Sequence, residues 1–118
     1  INSPKLIANT LQLRKNPQLF LAGQITGVEG YMESAATGII AGINASRLLK
    51  GQELLKMPPE TLIGALINFI TTSPSTDFQP INANFGILPQ IEPHIRNKQQ
   101  RYAAYTSRSL KTISQLLL

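Results

Sequence analysis

Three glycines within a short span, Gly23, Gly27 and Gly30, open the segment best suited to hold a ligand. They follow the apolar run Gln18 to Ala22 and precede a helical pattern beginning at Tyr31. A strand, a glycine loop and a helix start in that order bring unpartnered backbone N–H groups and a partial positive charge to one place. An anionic or electron-rich ligand edge is stabilised there. The same glycines would also serve a plain strand-to-helix turn, with Glu29 and Glu33 helping to cap the helix, and spacing alone leaves both readings open. A second cluster, Asn82, Asn84 and Phe85, offers amide donors, amide acceptors and a ring that could read and stack on a heterocycle edge. Its plainer role is two asparagines capping turns while the ring packs inward. The third is a basic tail of Arg96, Lys98, Arg101, Arg108 and Lys111, a set that attracts phosphate.

The elements that must position these residues follow from the hydrophobic pattern. Residues 1–17 read as extended chain or a short strand, and Gln18 to Ala22 as a buried strand. Ala35, Ala36, Ile39, Ile40 and Ile43 line one face of a helix from Tyr31 to about Leu49, which Gly51 ends. A second helix is expected from near Pro59, with Leu62, Ala65, Leu66, Phe69 and Ile70 as its stripe. Residues 74–93 form an Asn/Pro loop, and a third helix runs from about His94 to the end. At about 100° per residue, Arg101, Arg108 and Lys111 share an arc of about 80°, flanked by Arg96 and Lys98. Ile95, Tyr102, Leu110, Ile113 and Leu117 fall opposite and are expected to dock. The whole is read as one segment, 1–118: strand and glycine loop to residue 30, two helices over 31–73, the loop over 74–93, and the basic amphipathic helix over 94–118. The fold class is mainly α with a short β element and about three helices.

Composition narrows the chemistry. The chain has 118 residues, 42% hydrophobic and 14% charged, with a formal net charge of +5. That charge is not spread out: residues 1–92 balance, and residues 93–118 contain no acid, so the whole excess lies there. Ample apolar content with few charges excludes an intrinsically disordered chain. With no cysteine there is no thiolate nucleophile, disulfide or zinc-thiolate site, and His94 is the sole histidine. No catalytic residue, no histidine triad and no metal site are expected. The longest apolar stretch falls short of the ~20 residues a membrane span requires, so no membrane partner is expected. The first residue is Ile, which reads as a piece of something longer. No G-x-G-x-x-G fingerprint is present to take a dinucleotide in the usual way.

The run Phe20-Leu21-Ala22-Gly23-Gln24-Ile25-Thr26-Gly27-Val28-Glu29-Gly30-Tyr31-Met32-Glu33-Ser34-Ala35-Ala36-Thr37-Gly38 closely resembles the C-terminal flavin motif of the folate- and FAD-dependent tRNA uracil methyltransferases, the TrmFO family. The related GidA flavoproteins carry a similar stretch. Pro58-Pro59-Glu60-Thr61 and the run Phe78-Gln79-Pro80-Ile81-Asn82-Ala83-Asn84-Phe85-Gly86-Ile87-Leu88-Pro89 favour TrmFO, as does the opening Ile1-Asn2-Ser3-Pro4. The resemblance implies the C-terminal part of a two-dinucleotide-type FAD-binding α/β flavoprotein, whose fingerprint and catalytic cysteines lie upstream.

It further implies FAD as cofactor, with NAD(P)H and methylenetetrahydrofolate as co-substrates, and a cytoplasmic enzyme making 5-methyluridine in the tRNA T-loop. Gly23 and Gln24 would lie along the ribityl–phosphate part of FAD. Gly27, Gly30 and Tyr31 would meet the pyrimidine edge of its ring, with Glu33 and Ser34 supporting the helix start. Asn82, Asn84 and Phe85 would face substrate, and the basic tail would face tRNA. The segment alone is expected to be inactive; its partners are tRNA, the upstream part of the same flavoprotein and, through exposed apolar faces, further copies of itself. A non-catalytic RNA-binding or assembly module and a GidA-type wobble-uridine modification are the alternatives.

Overall fold

Gly30 ends the glycine loop with φ 106 and caps a helix of nineteen residues, α2 (Tyr31–Leu49), in a computed structural model that describes residues 1–74, 76, 78–92 and 94–116. Glu33 in its first turn and Arg47 in its last both complement the helix dipole. The stop at Gly51 holds: the Gly51 N–H donates to the Leu48 carbonyl (3.2 Å) and the Gln52 N–H to the Arg47 carbonyl (2.8 Å). These are the two bonds of a Schellman cap.

The next helix, α3 (Leu62–Thr72), begins later than the proline pair led one to expect. Thr61 is the reason. Its Oγ accepts the Gly64 N–H (3.0 Å) and donates to the Pro58 carbonyl (2.7 Å), so Pro58 and Pro59 belong to the turn before the helix. A Cβ at Gly64 would overlap the Pro58 carbonyl, so only hydrogen fits there. Ala65, Leu66, Ile67 and Ile70 are buried, and α3 is the axis of the core. Leu66, Ile67 and Ile70 pack with Ile7, Leu11, Val28, Ile40 and Leu55.

The N-terminal segment differs from the sequence reading in two ways. Pro4 starts a single helical turn, α1 (Ser3–Leu6), which takes the helix count among the described residues to four. The strand expected to be buried over Gln18–Ala22 is β2 (Asn16–Phe20), and it is exposed, with Leu19 52% accessible. It pairs antiparallel with β1 (Gln12–Leu13), and in this two-stranded sheet every β2 residue but Phe20 stays exposed. The fold is thus mainly α with a short β element, as expected.

Helix α4 (Lys98–Leu116) starts after His94, because the Asn97 side chain accepts the Gln100 N–H (2.9 Å) and fixes the first turn. Its docked face is the expected one at Ile95 and Tyr102, both half-buried, but not beyond them. Leu110 and Ile113 are 64% and 38% exposed, whereas Tyr105 is buried and Arg101, Tyr102 and Arg108 are half-buried. Aromatic area decides this. Phe85 lies against Tyr102 (centroids 4.5 Å) and stacks on Tyr105 (5.7 Å, 18°), which outweighs one leucine and one isoleucine. The arginines lie over the same rings, their stems apolar and their heads reaching carbonyls. Ile95 is half-buried, and Leu117 lies outside the described residues.

Candidate functional site

Backbone and small polar side chains shape the glycine loop. The Gly23 N–H donates to Thr37 Oγ on α2 (3.0 Å), and the 3-10 turn Gln24–Thr26 closes when the Thr26 hydroxyl and N–H both donate to the Gly23 carbonyl (2.7 and 2.9 Å). From below, the Ser3 hydroxyl donates to the Thr26 carbonyl (2.5 Å). Held this way, the loop leaves a cleft of about 310 Å³ lined by Gln24, Gly30, Tyr31 and Ser34. Four predicted cofactor residues therefore converge at the start of α2, with Tyr31 96% exposed at the mouth. Gly23 lies behind them, its Cα facing Ser34. Gly27 and Glu33 face elsewhere. Gly27 is buried, and a Cβ there would stand 2.5 Å from the Phe78 ring.

That contact belongs to a junction between the two loops. Val28 and Ile81 form a parallel bridge: the Glu29 N–H donates to the Ile81 carbonyl (2.9 Å) and the Ile81 N–H to the Gly27 carbonyl (2.8 Å). Asn82 Nδ2 donates to the Glu29 carbonyl (2.9 Å) and to Glu33 Oε2 (3.4 Å), which also accepts the Ala83 N–H (3.2 Å). The Glu33 carboxyl is held below its ordinary pKa, by its own backbone N–H first and that of Ala83 next, against a small desolvation in the other direction. Since folding lowers this pKa, the carboxylate contributes to the fold above its ordinary value, and the contribution is lost as pH falls through the lowered one. Asn84 is engaged locally, accepting the Gly86 N–H (2.9 Å) and donating to the Asn82 carbonyl (3.1 Å). Phe85 is occupied by Tyr102 and Tyr105, so the capping-and-packing alternative describes both residues.

Along α4 the cations meet carbonyls and rings. Arg108 donates to the carbonyls of Pro89 (2.6 Å) and Gln90 (3.5 Å) and lies over Tyr105; Arg101 donates to the Ile95 carbonyl (3.3 Å) and lies over Tyr102. Both tie the chain ahead of α4 to the helix, through Pro89, Gln90 and Ile95. Lys98, also over Tyr102, is exposed, as are Arg96 and Lys111. No helix among the described residues is long and apolar enough to cross a membrane.

Comparison with known proteins agrees with these motifs. The family described as "Glucose inhibited division protein A" matches residues 1–53. A methylenetetrahydrofolate–tRNA-(uracil-5-)-methyltransferase TrmFO from Syntrophomonas wolfei is 61% identical over 115 residues, 98% of this chain and 26% of that protein. The chain resembles the TrmFO family over nearly all of its length. A TrmFO from Streptococcus pyogenes is 52% identical over 118 residues, again with 26% of its length covered. The chain thus spans about a quarter of the curated TrmFO relatives it matches. Among solved structures, Aquifex aeolicus GidA aligns with TM-score 0.55 and 39% identity over 58% of this chain and 11% of that one.

Two residues that shape this TrmFO-like segment were missed from sequence. Thr37 and Asn44 are both fully buried on α2. Their signal was visible: with Ile40 they fall at helical spacing on the apolar face, where a polar residue needs a partner. Thr37 anchors Gly23, and Asn44 bonds three backbone groups.

Proposed function

We propose that this chain is the C-terminal, flavin-facing part of a cytoplasmic methylenetetrahydrofolate-dependent tRNA (uracil-5-) methyltransferase. The observation that carries the reading is the convergence of Gln24, Gly30, Tyr31 and Ser34 on one cleft at the start of α2. This donor set fits the electron-rich edge of a flavin, because Gly30 presents bare backbone at the helix start and carries no capping side chain of its own. When bound, FAD recharged by NAD(P)H would supply the reducing equivalents that turn a methylene carbon from methylenetetrahydrofolate into the methyl group on uracil C5. The chain's own part is to bind and orient. Gly23 and Gln24 border the phosphate side; Gly30 and Tyr31 meet the ring edge; Ser34 supports the helix start. Gly27 and Glu33 act from behind by fixing the loop that carries Asn82 and Asn84 next to the cleft, and Phe85 anchors that loop on α4.

The basic tail supplies the tRNA contact in this reading. Its acid-free sequence leaves the cations without carboxylate partners of their own, and Arg96, Lys98 and Lys111 are outward. In the full-length protein, replacing these three by Gln should weaken tRNA binding and lower the salt-dependence slope by up to about three. Arg101 and Arg108 are left in place because they hold Ile95 and Pro89–Gln90 to the helix. An unchanged slope would favour the second reading, an assembly module, which the exposed Met32, Ile39 and Leu49 support as a surface for the rest of the flavoprotein or a second copy.

A further inference from the structure

Three features lie outside the cleft: the apolar face of α2, the rings under α4, and the junction at Glu33. The last carries an inference, and it rests on the flavin reading above. We infer that Glu33 is a positioning residue that ties the Asn82–Asn84 loop to the start of α2, keeping a ligand in the cleft and a substrate at the loop in one register.

Glu33 stands one turn into the helix, beside the cleft that Gly30, Tyr31 and Ser34 line. Its carboxylate folds back over Gly30, and a Cβ at residue 30 would overlap it, so the glycine that bares the backbone also makes room for the tie. The same carboxylate reaches the Ala83 N–H (3.2 Å) and Asn82 Nδ2 (3.4 Å). Upstream the loop is fastened by the backbone bridge at Ile81; downstream Asn84 bonds only its neighbours. Between them, Glu33 is the side chain of α2 that grips the loop backbone. Glu33 and Ala83 also wall an apolar groove of about 420 Å³ floored by Ala36, Leu62 and Leu66, so the tie stands between the two surfaces it would align. The carboxylate is ionised at neutral pH, so both bonds are charge-assisted.

Hydrogen exchange on the full-length protein, with FAD as the added probe, tests the inference. Glu33→Ala should speed exchange over residues 81–84 by about tenfold, the size of one charge-assisted hydrogen bond, and leave α3 unchanged. Glu33→Gln should largely restore the original rate, since its amide oxygen can accept the Ala83 N–H. Added FAD should slow exchange at 81–84 in the original protein and in Glu33→Gln, but not in Glu33→Ala. Equal rates at 81–84 in the original and Glu33→Ala proteins would overturn the tie; equal FAD protection in all three would overturn the coupling. If FAD does not bind the original protein, the flavin reading fails, and the comparison without FAD still decides the tie.

Discussion

Asn44→Ala should destabilise the fold by about 4 kcal/mol, measured as a fall in the urea midpoint of the chain. The residue is fully buried in the middle of α2. Its Nδ2 donates to the carbonyls of Thr10 (3.0 Å) and Leu55 (2.9 Å), and its Oδ1 accepts the Leu55 N–H (2.6 Å). One side chain thus joins the N-terminal segment, α2 and the chain leading to α3. Truncation orphans three buried backbone groups and leaves a void, and each orphan costs about 1–3 kcal/mol before any relaxation. Asn44→Asp should be as harmful, since a carboxylate cannot donate to two carbonyls. A loss below about 1 kcal/mol would mean that water replaces the amide and that this junction is not a structural centre.

Gly30→Val should strip flavin from the full-length protein while leaving it folded. At φ 106 a branched side chain is strained by about 1–3 kcal/mol, and its Cβ would overlap the Glu33 carboxylate. The strain is local, because α2 is anchored further along by Thr37, Ile40 and Asn44. What changes is the helix start: the methyl groups cover the backbone that lines the cleft and push Glu33 off Ala83. The check is the flavin absorbance of purified protein against its circular dichroism. Full flavin occupancy in the variant would remove the cofactor role of the cleft.

Much of this architecture can be read from the chain. The start of α2 at Tyr31 and its end at Gly51 follow from glycines whose backbone geometry other residues resist, and the α3 stripe follows from its period. The errors share a cause: choices made by tertiary partners. Gln18 to Ala22 has the composition of a buried strand, yet burial needs a second layer. On α4, the helical wheel separates cations from apolar residues correctly, but it cannot know that Phe85 waits on the cation side. Tyr102 and Tyr105 then turn the helix inward with Arg101 and Arg108. What the glycine spacing made legible is a grouping: Gln24, Gly30, Tyr31 and Ser34 line one cleft at the start of α2. The junction with the asparagine loop was not legible, because Glu33 and Ala83 are brought together by the fold rather than by spacing.

The bridge between Val28 and Ile81 also sets the order in which the molecule can be finished. Asn82 and Glu29, bonded at its edge, are 53 positions apart in the chain. At roughly 5–20 residues per second on a ribosome, the glycine loop emerges about 3–10 s before its partner exists. During that interval α2 can form, but Gly27 has no ring over it and Glu33 has no amide to grip. Closing so long a loop costs entropy that only a docked α3 can offset. The junction of the glycine loop with the asparagine loop is therefore a late product of synthesis, assembled after the helix that borders it.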